Sequence, residues 1–287
     1  MTTVRTLVSA NELAALQKQG DVLVVDCRFD LGDAGKAERD YAAAHIPGAV
    51  YAHLDHDLSD LSKHGFGRHP LPEDDAFSSA LSRWGWRPDL DVIAYDDANG
   101  ALAAARLWWL LRLIGHERVA VLDGGLVAWR AAGFGLEAGA VHRKATRARV
   151  ALDRSQVVWF DELQRCREQA AALLLDARAA PRYRGEVEPI DPVAGHVPGA
   201  LNRPFSENLD ASGRFKPPAE LRREFDALRN GRTADGIVHM CGSGVTACHN
   251  LLAMEHAGLT GSRVFAPSWS GWISDRSRPV ATGIDPV

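Results

Sequence analysis

The feature that most constrains this chain is that it repeats itself once. Glu12-Leu13 returns as Glu162-Leu163, and VVDCR (Val24 to Arg28) returns as LLDAR (Leu174 to Arg178), both offset by 150 residues. AHIPGA, from Ala44 to Ala49, returns as GHVPGA, from Gly195 to Ala200. Further along, VIAYD ending at Asp96 matches VHMC ending at Cys241, and VLDGGLVAW ending at Trp129 matches VFAPSWSGW ending at Trp272. Five matches in one order, with an offset that drifts from 150 to 143, describe a duplicated domain with small insertions. A solenoid would need more copies. The length of 287 residues also suits two domains rather than one.

Each copy alternates short β-branched runs with amphipathic or apolar helical stretches. In the first copy, DVLVVD (Asp21 to Asp26), DVIAYD (Asp91 to Asp96) and RVAVLDGG (Arg118 to Gly125) have the continuous apolar character of strands buried on both faces. Ser9 followed by Glu12 is a capping box for a helix holding Leu13 and Leu16. ALAAARLWWLLRLIG, from Ala101 to Gly115, is a largely buried helix with a glycine to stop it. LLLDAR, GIVHMC and SRVFA occupy the matching places in the second copy. The expectation is an α/β fold with two tandem domains, each a mainly parallel sheet flanked by helices. The domains are expected over 1–138 and 157–287. The linker, 139–156, carries Arg143, Lys144, Arg147, Arg149 and Arg154 and is read as a solvated connector.

Composition narrows the function classes. A net charge of −4 gives no electrostatic case for nucleic acid or an anionic membrane. No long apolar run and no charged-then-apolar start is present, so neither a membrane span nor a secretory signal is expected. The four cysteines (Cys27, Cys166, Cys241, Cys248) are too scattered for a disulfide framework or a zinc knuckle, which points to a reducing cytoplasm. Cys27, Cys166 and Cys248 fit core positions; the partner of Cys27 in the second copy is Ala177.

Cys241 differs from these. In GIVHMCGSGVTACHNLL, from Gly236 to Leu252, a strand ends at Met240, Cys241 takes the first loop position, Gly242 and Gly244 follow, and a helix is expected from near Val245. Ligands of α/β sheets bind beyond the carboxyl ends of the strands. Glycines let successive N–H groups turn inward as an anion nest, and the following helix N-terminus adds positive potential. Both would stabilise a thiolate, or the terminal sulfur of a persulfide. A purely structural cysteine on a tight turn would explain Gly-Ser-Gly poorly. In the first copy Asp96 stands in the place of Cys241, followed by Asp97, Ala98, Asn99 and Gly100. A carboxylate cannot act as a sulfur nucleophile, so that copy is expected to be catalytically silent.

Cys-Gly-Ser-Gly-Val-Thr-Ala at 241–247 resembles the active-site loop of 3-mercaptopyruvate sulfurtransferases, in the rhodanese family that also holds the thiosulfate sulfurtransferases. The resemblance extends to both HxPGA segments, both Asp-x-Arg strand ends and SWSGW. It implies tandem rhodanese-like domains with only the second active, and Cys241 and Ser243 as catalytic residues. Gly242, Gly244, Val245 and Thr246 would bind substrate through the loop, together with Arg182 and Arg184. The thiosulfate enzymes carry basic residues just after the cysteine; Gly242 and Ser243 favour mercaptopyruvate. Arg182-Tyr183 matches the family's arginine-aromatic pair. A second arginine expected several residues later is missing from EVEPIDPVAGH (Glu186 to His196), where Arg184 is the stand-in. Ser243 resembles a serine that relays protons with a histidine and an aspartate of the first copy. His69, in GRHPLP, fits the histidine, while the aspartate position carries His53, with Asp55 two residues on. His45 and His196 read as structural turn histidines, Arg28 and Arg178 as structural ion pairs. Trp269 and Trp272 either wall the cleft or pack in the core; APSWSGW departs there from the family's Asp-Gly and Glu.

The implied reaction is a two-stage displacement without metal or organic cofactor. Cys241 takes sulfur from a small anionic donor, and its persulfide passes it to cyanide or to a thiol such as thioredoxin. Thiosulfate is the alternative donor, and a non-catalytic sulfur-relay or binding protein the alternative from another class. A cysteine phosphatase or arsenate reductase needs an arginine six residues after the cysteine; Ala247 stands there.

Overall fold

The computed structural model describes residues 6–284. They form two compact units: one runs through Asp60 and continues with Leu71–Asp153 and Ser212–Arg214, the other holds Leu61–Pro70, Arg154–Ala211 and the chain from Phe215 onward. Residues 61–70 therefore belong with the second copy of the repeat, although they lie within the first in sequence.

The first unit is built on a parallel sheet of β1 (Leu7–Val8), β2 (Val22–Asp26), β3 (Val50–Tyr51), β4 (Asp91–Tyr95) and β5 (Val119–Leu122), in the order β1-β5-β4-β2-β3. The second repeats it with β6 (Val157–Val158), β7 (Leu173–Asp176), β8 (Leu201–Asn202), β9 (Ile237–Met240) and β10 (Arg263–Phe265), in the order β6-β10-β9-β7-β8. The expected α/β class and its strand runs are thus observed in both copies. β2 and β9 are buried along their whole length, as strands covered by helices on both faces must be. β4 and β9 are the central strands, so Asp96 and Cys241 emerge at equivalent points on the carboxyl edge.

Both units use one device to tie strand end to turn. Asp26 and Arg28 pair with Nη2 to Oδ2 at 2.6 Å, and the same guanidinium donates to the Ala44 carbonyl at 2.8 Å. Asp176 and Arg178 pair at 2.6 Å, with Arg178 donating to the Gly195 carbonyl at 2.7 Å. Each ion pair is buried with its hydrogen bonds met, the condition under which a buried charge is tolerated. His45 and His196, both fully buried, stack on Tyr41 and Tyr183 and place Nδ1 2.8 Å from those tyrosines' carbonyls. They are turn residues, as the repeat implied.

Three expectations change. The backbone of the basic segment is strapped to the first unit, while Lys144, Arg147 and Arg149 stay exposed to solvent as expected. Thr146, Ala148, Val150 and Leu152 donate backbone N–H groups to Ser82, Ser78 and Asp74, and Arg143 pairs with Asp21. Cys166 is only half-buried on the helix Phe160–Glu168, whereas Cys27 and Cys248 are fully buried. Trp269 and Trp272 are fully buried in the core of the second unit, which decides between their two readings. Among the described residues no helix is long and apolar enough to cross a membrane.

Candidate active site

Cys241 follows β9 directly, and the helix Ala247–His256 begins six residues later (247 − 241 = 6). Two backbone bonds hold the loop against the next strand-to-helix turn: Trp269 N–H donates to the Cys241 carbonyl and Ser270 N–H to the Gly242 carbonyl, each at 2.9 Å. The Cys241 amide donates to Ser268 Oγ at 3.1 Å, and that hydroxyl donates to the Phe265 carbonyl at 3.0 Å. The sulfur is thereby fixed with 2% of the residue exposed.

The Gly244 N–H donates to Cys241 Sγ at 3.2 Å. Gly244 sits at φ +76°, a left-handed conformation that turns its amide back toward the sulfur and that a side chain would strain. Gly242 has another reason to be glycine. A Cβ there would lie 3.1 Å from Arg68 Nη2 and 3.7 Å from both Arg182 terminal nitrogens. The missing side chain keeps open the space between the loop and two guanidinium groups.

The shortened segment 186–195 supplies the counter-charges. Glu188 accepts from Arg182 Nε and Nη2, the latter at 2.7 Å, and from the backbone of Ile190 and Asp191 at 3.1 Å. Burial works to raise the Glu188 carboxyl, but the Arg182 hydrogen bonds and these amides outweigh it and hold it below its ordinary value. Asp191 accepts from Arg182 Nη2 at 3.0 Å through one oxygen and pairs with Arg68 through the other. Arg178 Nη1 lies 3.5 Å from Glu188, and its guanidinium stacks 4.7 Å over the Trp269 ring. Burial alone would lower the Arg178 guanidinium; the Asp176 and Glu188 charges and the Cys241 sulfur raise it.

Ser243 is 7% exposed, and its Oγ lies 2.8 Å from His69 Nδ1. The segment 61–70 delivers this histidine. Its backbone packs on the helix Ser268–Trp272, where Arg68 N–H donates to Ser270 Oγ at 2.9 Å. Val245 is buried and Thr246 is half-buried ahead of the helix, which begins at Ala247, two residues later than expected. Arg184 is turned elsewhere: its Nε and Nη2 bind the exposed Glu186 at 2.7 and 2.8 Å. His53 belongs to the first unit, where its Nδ1 accepts the Asp55 N–H at 3.1 Å as a helix cap.

Sequence reasoning missed Arg68, Glu188 and Asp191. A signal was present. Arg68 sits beside His69 behind two glycines, and two acids, Glu188 and Asp191, stand in the stretch where an arginine was expected, which calls for a cation from elsewhere.

The fold and the loop define a tandem-unit α/β protein with a cysteine at a strand end. The rhodanese-like domain model matches residues 9–132 and 159–275, and the chain belongs to the rhodanese family. It is 50% identical over 96% of its length to a Pseudomonas aeruginosa protein provisionally named 3-mercaptopyruvate sulfurtransferase, of which it covers 98%. It is 40% identical, over 97% of itself and 98% of the relative, to a Mycobacterium tuberculosis protein provisionally named thiosulfate sulfurtransferase. A solved structure of the Escherichia coli 3-mercaptopyruvate enzyme superposes with a TM-score of 0.81 at 32% identity, covering 93% of this chain and all of that one.

Proposed function

We propose that the second unit transfers sulfur from 3-mercaptopyruvate to a thiol or cyanide acceptor through a persulfide on Cys241. The observation that carries this reading is the Gly244 amide aimed at Cys241 Sγ at 3.2 Å, within a loop whose neighbours are cationic. A preorganised N–H donor favours the thiolate and, after transfer, the anionic outer sulfur.

In the first stage the Cys241 thiolate attacks the donor sulfur. An S–S bond forms, the donor's C–S bond breaks, and its electron pair leaves as the enolate of pyruvate, which must gain a proton on carbon. The proton path begins at Ser243 Oγ, hydrogen-bonded to His69. Arg182 holds the donor carboxylate, and the amides of Gly242, Gly244, Val245 and Thr246 line the sulfur's cradle. Arg184 stays on Glu186 and takes no part. In the second stage the acceptor attacks the outer sulfur and releases the Cys241 thiolate, so kinetics are ping-pong. A reduced dithiol such as thioredoxin suits that step, in keeping with a cytoplasmic setting.

Thiosulfate as donor is the second reading, favoured by the name of the 40%-identical relative. Against it, the two guanidinium groups beside Gly242 are balanced by the Glu188 and Asp191 carboxylates, which leaves no surplus positive charge for a dianion. Steady-state turnover with each donor, on wild type and Cys241→Ser, tests the proposal, with intact mass after donor alone. One added sulfur on wild type and none on Cys241→Ser is expected. Turnover surviving in Cys241→Ser would sink it, and a clear preference for thiosulfate would replace the donor.

A further inference from the structure

We propose that Arg68 is the second donor-binding arginine: Arg68 and Arg182, held by the single Asp191 carboxylate, form a two-armed clamp for the carboxylate of the sulfur donor. The proposal rests on the reading of Cys241 as the sulfur carrier and names how its donor is recognised.

Asp191 is the pivot. Its side chain is 2% exposed, and each of its oxygens takes one guanidinium, Arg68 Nη1 on Oδ1 and Arg182 Nη2 on Oδ2. Bridging fixes the two forks relative to each other before any ligand arrives, which lowers the ordering cost of binding. Each arginine keeps an arm in reserve. Arg182 spends Nε and Nη2 on Glu188 and Asp191, and Nη1 has no partner among the described residues. Arg68 spends Nη1 on Asp191, while Nη2 stands 3.1 Å from the missing Cβ of Gly242 and buried Nε has no hydrogen-bond partner among the described residues. Arg68 Nη2 and Arg182 Nη1 converge on the residue that follows Cys241. A carboxylate there could accept from both forks at once, charge-assisted bonds of the strong kind.

The backbone around Arg68 explains how it reaches this place. A Cβ on Gly271 would meet Pro267 Cβ at 2.5 Å and Gly67 N at 3.1 Å, and a Cβ on Gly67 would meet the Pro267 carbonyl at 2.4 Å. Two glycines face to face let the segment 61–70 approach the helix Ser268–Trp272 closely. Arg68 N–H then binds Ser270 Oγ, two residues from Trp272. The same docking sets Arg68 toward Gly242 and His69 toward Ser243, so one segment delivers a donor-binding group and a proton-relay group.

The test compares 3-mercaptopyruvate with mercaptoacetone, which keeps the thiol and ketone but has no carboxylate, on the full chain. Arg68→Met is expected to raise KM for 3-mercaptopyruvate about ten- to hundredfold, the loss of one charge-assisted bond, with kcat much less affected. On mercaptoacetone the same variant should stay within about twofold of wild type, a readout that a merely structural arginine would not give. Arg68→Lys keeps the charge without the fork and should fall between. An unchanged KM for 3-mercaptopyruvate in Arg68→Met overturns the clamp while leaving the parent reading intact. So does an equal loss on both donors. A wild type that gains no sulfur on Cys241 from 3-mercaptopyruvate overturns both.

Discussion

The two strand-end loops began as one sequence and now treat an anion in opposite ways. In the first unit Asp96 is fully buried, and its carboxylate accepts four backbone amides: Ala98 at 2.9 Å and Gly100 at 2.8 Å on one oxygen, Leu102 at 3.1 Å and Ala104 at 3.2 Å on the other. In the second unit Cys241 receives one amide, from Gly244, and the guanidinium groups stand outside the loop. The first loop has filled its own nest with a built-in anion. The second turns its Gly244 amide to Cys241, the residue proposed to carry the transferred sulfur. The helix starts eight residues after Asp96 (104 − 96 = 8) but six after Cys241, so the carboxylate also ties down a longer loop.

The largest expected effect breaks this comparison at its centre. Cys241→Ser should lower kcat by at least about a thousandfold, since a hydroxyl cannot carry the sulfur. The converse graft should fail. Asp96→Cys in the Cys241→Ser background gains a thiol but places Asp97 and Ala98 where the active loop has Gly242 and Ser243. Measurable donor turnover in that double variant would mean that the cysteine alone, not its surroundings, makes the site.

Removing the built-in anion comes next. Asp96→Ala leaves four amides, two of them buried, without an acceptor and should destabilise the first unit by about 2–4 kcal/mol, whereas Cys241→Ala should leave the second unit within about 1 kcal/mol. Hydrogen exchange resolves the two units, which a single melting curve would blend. Burial pushes the Asp96 carboxyl up to about 6, against the pull of its amides, from an ordinary value of 3.8. A carboxyl raised in the folded state binds its proton more tightly there. The stability it contributes is therefore full below about 4 and is lost as pH rises through 6, on the order of 2–3 kcal/mol. Asp96→Asn should abolish that slope, and a slope that persists would assign it to another group.

Much of this was legible because duplication writes itself twice. Asp26-Arg28 with His45, and Asp176-Arg178 with His196, recur in the same order at spacings that differ by one residue, so their structural role followed from their presence in both copies. Cys241 stood out for the opposite reason, as a nucleophile present in only one copy. What escaped reading depends on approach rather than period. The docking of Gly67 against Gly271 leaves no repeating signal, so Arg68 and His69 read as part of the first copy. The strap along 146–152 is fixed by backbone donors that residue type does not reveal. Arg184 stands close to Arg182 in sequence, yet its neighbour Glu186 claims it.

That contrast between adjacent arginines gives the next prediction. Arg182→Ala should raise KM for 3-mercaptopyruvate about ten- to hundredfold, since its fork faces Gly242 and is anchored by Glu188 and Asp191. Arg184→Ala removes an exposed pair with Glu186 and should change KM by less than about twofold. Equal effects would show that the charge of the short helix as a whole, not the fork of Arg182, recognises the donor.

The smallest effect separates the copies at their first helices. Ser9 caps the helix Ala10–Gln19, accepting the Glu12 N–H at 3.3 Å while Glu12 accepts the Ser9 N–H at 2.8 Å. The matching helix, Phe160–Glu168, has Trp159 at its N-cap and no side-chain cap bond. Its start is held by packing instead. Phe66 meets the Trp159 ring edge-on at 6.1 Å, and the Arg278 guanidinium lies 3.9 Å over Phe160. Ser9→Ala should therefore cost about 1 kcal/mol, seen as faster amide exchange within Ala10–Gln19 alone. Trp159→Ser would install a capping residue in the second copy and yet should give no net gain, because it removes the ring that Phe66 packs against. If Trp159→Ser did stabilise that helix, the cap would outweigh the packing, and the docking of the segment that carries Arg68 and His69 would not depend on this contact.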